Sequence, residues 1–242
     1  STIAALIILL FFCVYVGSCF VTCGKLFHTL FGLDYMTMMA LGAIIVFLYT
    51  LVGGYLSVVA TDFVQGCLMF FALAVVVVGS ITLGAGVDHV ATFLSDIPGY
   101  LTLAASAVPT LGADGNQLIE NGSPVFGVPT EMSVLTIVSY LAWGLGYFGM
   151  PHVLVRFMGI RDAEEVRKSK YIAVVWVVVS MICAISIGLI GRAVIPTEFL
   201  TNSAAENVFI VLAKMLLPGF MCGVVVSGIL AASMSSASSY LL

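Results

Sequence analysis

The chain has 242 residues, of which 62% are hydrophobic and 8% charged, with a net charge of −4 and a mean hydropathy of +1.21. Soluble domains carry roughly 25% charged residues, so this composition excludes a soluble globular protein and marks an integral membrane protein. The small net charge gives no indication of a nucleic-acid partner, and the bilayer is the partner it implies.

Six apolar segments are long enough to cross ~30 Å of hydrocarbon at about 1.5 Å per residue. They are predicted at 3–22, 35–51, 56–83, 133–150, 171–191 and 218–242. Their apolar character is continuous rather than alternating, which favours helices over barrel strands. Five of the eight Lys and Arg residues (Arg156, Arg161, Arg167, Lys168, Lys170) fall in the 151–170 connection, which the positive-inside rule places in the cytoplasm. The 84–132 connection has five acids and no Lys or Arg, so it is predicted outside. Ser1 then starts in the cytoplasm and Leu242 returns toward it, and Lys25 falls outside, against this pattern. The chain begins without Met and ends within a helix, and it reads as an internal fragment forming a single membrane domain over 1–242.

In the first segment, Tyr15 sits mid-helix beside Gly17 and Ser18. A phenol at that depth needs a hydrogen-bond partner, and a pocket or a satisfied core position would each supply one. The six cysteines lie in or beside the segments as small buried hydrophobes, without metal-ligand spacing. Gly53–Gly54 ends the second segment. Asp62 follows early in the third, and a carboxylate within a span costs about 2.5–3.5 kcal/mol unless it meets partners or water. It reads either as part of a cation path or as an N-terminal cap near the interface.

The 49-residue outer connection is long enough to hold structure of its own or a lid. Asn121-Gly-Ser matches the weak glycosylation pattern. In the fourth segment, Gly144, Gly146, Gly149 and Pro151 interrupt the helix, and such breaks are tolerated where they face protein or a cavity. Trp143 and Tyr147, four apart, line one face of the break, as an aromatic wall for a small zwitterion or as an interfacial belt. His28, His89 and His152 share no spacing that suggests chemistry. The 162–170 stretch, acids before bases, suits a short amphipathic helix, and 202–214 an interfacial one.

The last segment carries Ala232, Ser235, Ser236, Ser238 and Ser239. Offsets of three and four share a helix face, so Ala232, Ser235 and Ser236 form one triplet and Ser235, Ser238 and Ser239 another. Neutral oxygens so arranged suit a small hard cation such as sodium. Serines also pack helices together and bond back to the preceding turn.

Three stretches in the same order resemble the sodium:solute symporter family, and within it the proline carriers. They are Leu51-Val-Gly-Gly-Tyr-Leu-Ser-Val-Val-Ala-Thr-Asp62-Phe-Val-Gln65, Trp143-Gly-Leu-Gly-Tyr-Phe-Gly-Met-Pro-His152-Val-Leu-Val-Arg156-Phe-Met, and Gly228-Ile-Leu-Ala-Ala-Ser-Met-Ser-Ser236. The resemblance implies an all-α membrane protein with part of a LeuT-type inverted-repeat fold, covering about the family's fourth to ninth helices. It implies a sodium site at Ala232, Ser235 and Ser236, and a second sodium or sodium-release role for Asp62, Ser238 and Ser239. It also implies substrate contacts at Tyr15, Trp143 and Tyr147.

The expected function is therefore sodium-coupled import of a small solute, L-proline first, by alternating access in the plasma membrane (the inner membrane in a bacterium). Sodium is the coupling ion, no organic cofactor is expected, and the protein is not an enzyme. Another amino acid or organic anion as solute, or a symporter-like membrane module of a sensor histidine kinase, are the other readings.

Overall fold

A computed structural model describes residues 2–84, 86–113 and 115–242, and the side chains of residues 83, 84, 143 and 148 are outside that description. Among the described residues, five helical stretches are long and apolar enough to cross a bilayer: Thr2–Phe31, Tyr35–Thr82, Val134–Met158, Ala163–Val194 and Gly219–Leu241. Membrane helices dominate because every backbone polar group must be satisfied within its own segment.

The six predicted segments become five because the second and third run together. Helix α1 is Thr2–Phe31, and α2 covers 45 residues, Tyr35–Gly79. Straight, α2 would be about 68 Å long at 1.5 Å per residue. It breaks at Gly54, where φ is +57° and ψ −157°, a region essentially reserved for glycine. A Cβ on neighbouring Gly53 would run into the Ser57 side chain, so both glycines of the pair are needed for this turn.

The chain forms two compact units, one running to Ala72 together with Phe220–Leu242, the other Leu73–Gly219. In the first, α1, most of α2 and the final helix α9 (Gly219–Leu241) pack through small residues. A Cβ at Gly42 would lie 3.2 Å from Cys23 Cβ, and one at Gly228 2.7 Å from Ala72 Cβ. Such close approach is how membrane helices gain dispersion contact without a hydrophobic driving force. Leu26, Val46, Val58 and Val225 are buried at these contacts. The turn into α2 is fixed by Asp34, whose Oδ2 accepts from the Thr37 backbone N–H at 2.8 Å and from Thr37 Oγ1 at 2.7 Å. These two hydrogen bonds hold the Asp34 carboxyl below the usual carboxylate range.

In the second unit a π-helical turn, Ser80–Gly84, leads to α3, Gly86–Ser95. The 84–132 connection has structure of its own. Strand β1 (Ala105–Ser106) pairs antiparallel with β4 (Thr130–Glu131), and β2 (Ile119–Glu120) with β3 (Ser123–Pro124). Asn121 and Gly122, at φ 51° and 77°, are the two central residues of the β2–β3 hairpin, the backbone that Asn-Gly favours. The glycosylation-like triplet thus has a turn-forming reason to be there.

Helix α4 (Val134–Gly146) starts at Ser133, whose side chain accepts from Thr136 N–H, and α5 is Pro151–Met158. Helix α6, Ala163–Val194, corrects the prediction of a separate amphipathic helix at 162–170: those charges are its first turns, with no Gly or Pro before Gly188 to end them. The predicted 202–214 helix is likewise two, α7 (Asn202–Ala205) and α8 (Val208–Leu216). Helix α6 packs against α3 and α8, burying Ile187, Ile190, Ile210 and Leu212.

A candidate cation site on the last helix

Asp62 lies eight residues beyond the Gly54 break, inside the second arm of α2, so it is not an N-terminal cap. Its carboxylate accepts from Ser235 Oγ at 2.6 Å and from Ser239 Oγ at 3.3 Å. Ser235 and Ser239 are one helical turn apart on α9, which is the spacing that lets one carboxylate span both. The Ser235 carbonyl in turn accepts from Ser239 Oγ at 2.7 Å and Ser238 Oγ at 3.0 Å. Ser238 is wholly buried and Ser239 nearly so.

Three further oxygens face this cluster. The Tyr49 hydroxyl donates to the Met234 carbonyl at 3.2 Å and lies close to the Ser238 and Gln65 side chains. Gln65 Oε1 and Thr50 Oγ1 are buried without a well-formed hydrogen bond among the described residues, and both side chains lie beside the Tyr49 hydroxyl. Carboxylate, hydroxyl, amide and carbonyl oxygens are hard ligands, so Asp62, Ser235, Ser238, Ser239 and Gln65 are the residues here that could hold an alkali cation. No group of three or more His, Cys, Asp or Glu that could hold a metal occurs among the described residues.

The structure thus gathers one of the two predicted serine triplets. Ala232 is half-buried and Ser236 exposed; the hydroxyls that reach Asp62 are those of Ser235 and Ser239. Tyr15 is 43% exposed; its ring centroid lies 4.9 Å from that of Tyr240, which Phe12 meets edge-on at the same distance. It therefore flanks the last turns of α9. Tyr49 and Thr50 escaped the sequence reading, although Tyr49 carries the signal that singled out Tyr15, a phenol inside an apolar run.

The broken helix belongs to the other unit. After Gly146, residues Tyr147–Gly149 form a 3₁₀ turn. Met150 is extended at φ −69°, ψ 121°, and Pro151 opens α5 at its first turn. Proline there has no N–H to lose. Gly144, Gly146 and Gly149 have open space where a Cβ would stand. Tyr147, at the break, is 53% exposed. Trp143 is helical, and its side chain lies outside the described residues.

Among known proteins, the model of the family described as "Sodium:solute symporter family" matches residues 1–242. The chain is 37% identical over 240 residues to the osmoregulated proline transporter OpuE of Bacillus subtilis (strain 168), covering 99% of the chain and 44% of that protein. It is 37% identical to sodium/proline symporter 2 of Staphylococcus saprophyticus over 99% of the chain and 42% of the relative. To the sodium/proline symporter of Staphylococcus aureus it is 38% identical over 242 residues, again 42% of the relative. The chain therefore spans less than half the length of these relatives. No solved structure matches it. With a family model matched from end to end and five bilayer-length apolar helices, the chain belongs to the sodium:solute symporter family and is a multi-pass plasma-membrane protein.

Proposed function

We propose that the chain is the part of a sodium-coupled L-proline importer that carries its cation ligands on α9 and α2. The observation that supports this most is the Asp62 carboxylate, inside an apolar helix and bridged to Ser235 and Ser239 of another. Hydroxyls that donate to a carboxylate can turn their lone pairs toward a cation instead, exchanging two hydrogen bonds for oxygen–cation contacts. Ala232 and Ser236, together with Ser235, are assigned to the sodium triplet that the family resemblance implies. The solute reading rests on the proline transporters among the relatives and on the family resemblance, which assigns substrate contacts to the aromatic residues Tyr15, Trp143 and Tyr147.

The fold proposed is part of a LeuT-type inverted repeat with six spans, each arm of α2 crossing once. Two contacts favour that count. Tyr49 and Asp62 are 13 residues apart, about 20 Å along a straight helix, yet they reach the adjacent residues Met234 and Ser235. A fold-back at Gly54 brings both arms to the same height on α9. Sodium held between α9 and its neighbours would favour the outward-open state, and solute closing on the broken helix would complete the cycle. No bond is made or broken in this scheme.

The test is uptake of labelled proline by the full-length protein in liposomes under an inward sodium gradient, with a panel of unlabelled amino acids and organic anions. Proline accumulation that requires sodium and is blocked by excess proline supports the reading. If proline is neither accumulated nor competes, the solute assignment is wrong.

A further inference from the structure

The second unit holds a cleft of about 500 Å³, within the ~300–1,000 Å³ common for small-molecule sites. Among its lining residues is Arg192, in the last turn of α6 and only 9% exposed. One nitrogen, Nη1, donates to the carbonyls of Pro196 at 3.3 Å and Phe199 at 3.2 Å. The guanidinium carbon stands 5.1 Å from the centroid of the Phe126 ring. A guanidinium has five N–H donors in a planar fork, so the Nε and Nη2 edge remains for another acceptor. Among the described residues no carboxylate forms an ion pair with Arg192, and none of the described cleft residues is acidic.

A buried cation without an anion is costly. The helix C-terminus offsets part of that cost, and two neutral carbonyls offset more, but neither neutralises the charge. The walls of the cleft are largely apolar, including Ile185, Leu189 and Leu200, with Tyr100, Gln117 and Asn202 as polar positions. This combination of one cation, no acid and apolar walls selects against two kinds of ligand. A dicarboxylate would bury a second charge unpaired, and a zwitterion would find no acid for its ammonium. We propose that this cleft is a binding site for a small apolar monocarboxylate, held by the free edge of Arg192 in a bidentate pair and independent of the cation cluster on α9.

Benzoate and its neutral isostere benzamide distinguish this from a guanidinium that only ties α6 to the following segment. With full-length protein in lipid nanodiscs at fixed sodium, calorimetric titration should show saturable benzoate binding and at least tenfold weaker benzamide binding. Arg192→Gln should weaken benzoate at least tenfold. Because that change also removes the two carbonyl contacts and can impair folding, Gly188→Leu is the second variant. Gly188 lines the cleft with open space at its Cβ position, so leucine there occupies cleft volume while the guanidinium itself is retained, and benzoate binding should disappear. No saturable benzoate binding, equal affinity for benzoate and benzamide, or undiminished benzoate binding in the folded Gly188→Leu protein would each overturn the proposal.

Discussion

At the scale of single residues, Asp62 and Ser235 carry the sharpest expectations. Ser235→Ala removes the closest hydroxyl to the carboxylate, and contacts of this charge-assisted kind are worth ~1.5–3 kcal/mol. The sodium concentration for half-maximal uptake should rise about tenfold or more; an unchanged sodium dependence returns the serine to helix packing. Asp62→Asn keeps an acceptor for one serine, turns an amide N–H2 donor toward the other hydroxyl and removes the charge, so it should weaken sodium dependence further while leaving thermal unfolding within a few degrees of wild type. Asp34 gives a pH signature outside the membrane spans. Its folded-state pKa is depressed from 3.8 by Thr37, so the cap is fully present above that value and is lost as pH falls through the depressed one. Protection of the Thr37 amide against hydrogen exchange, measured relative to Asp34→Asn, should therefore decline only below pH 3.8. The serine stripe and the out-of-place Asp62 were both legible, because helical spacing and the cost of a carboxylate in lipid are local facts. That they meet was not, since the contacts close over 173 and 177 positions of chain. Tyr49, joined to Met234 across 185 positions, shows the same limit.

At the scale of elements, the breaks read well and the continuities poorly. Gly53–Gly54 and the glycine–proline run after Trp143 announce interruptions because proline and glycine act on the local backbone. The 162–170 charges were separated from α6 because polarity changes there, whereas the helix continues as long as nothing breaks its hydrogen bonds. Asn121–Gly122 carried its hairpin signal openly, but the strands beside it are two residues each and show no alternation. Two substitutions test this scale. Gly54→Ala forces a Cβ into a glycine-only conformation at a cost of about 1–3 kcal/mol, and Gly228→Val places a branched side chain where even a Cβ would lie 2.7 Å from Ala72. Both should lower the thermal unfolding temperature of the full-length protein in detergent, and Gly228→Val should also lower sodium affinity, because α9 can no longer lie close against α2. A Gly228→Val protein with wild-type stability would mean the two helices do not pack through that glycine.

At the scale of the whole molecule, the family relationship and the cation cluster together lead to an expected energetic output. One sodium moving down 100 mV supplies about 2.3 kcal/mol, enough for a roughly 50-fold accumulation of a neutral solute before any sodium gradient is counted. Proteoliposomes with equal sodium on both sides and an imposed inside-negative potential should thus still accumulate proline, and the effect should vanish when the potential is collapsed. The long reach of Asp62 also sets a timetable for synthesis. At about 5–20 residues per second, the ribosome finishes Ser235 roughly 10–35 s after Asp62. For that interval the carboxylate has emerged and neither hydroxyl that contacts it yet exists. The second arm of α2 therefore has to wait, held at the insertion machinery or at the lipid–water boundary, until α9 arrives and completes its polar face. Ribosome-stalled chains ending before α9 should leave Cys67, five residues beyond Asp62 and on the outward face of α2, open to a water-soluble thiol reagent, and in chains extending well past α9 insertion of the arm into lipid should shield it.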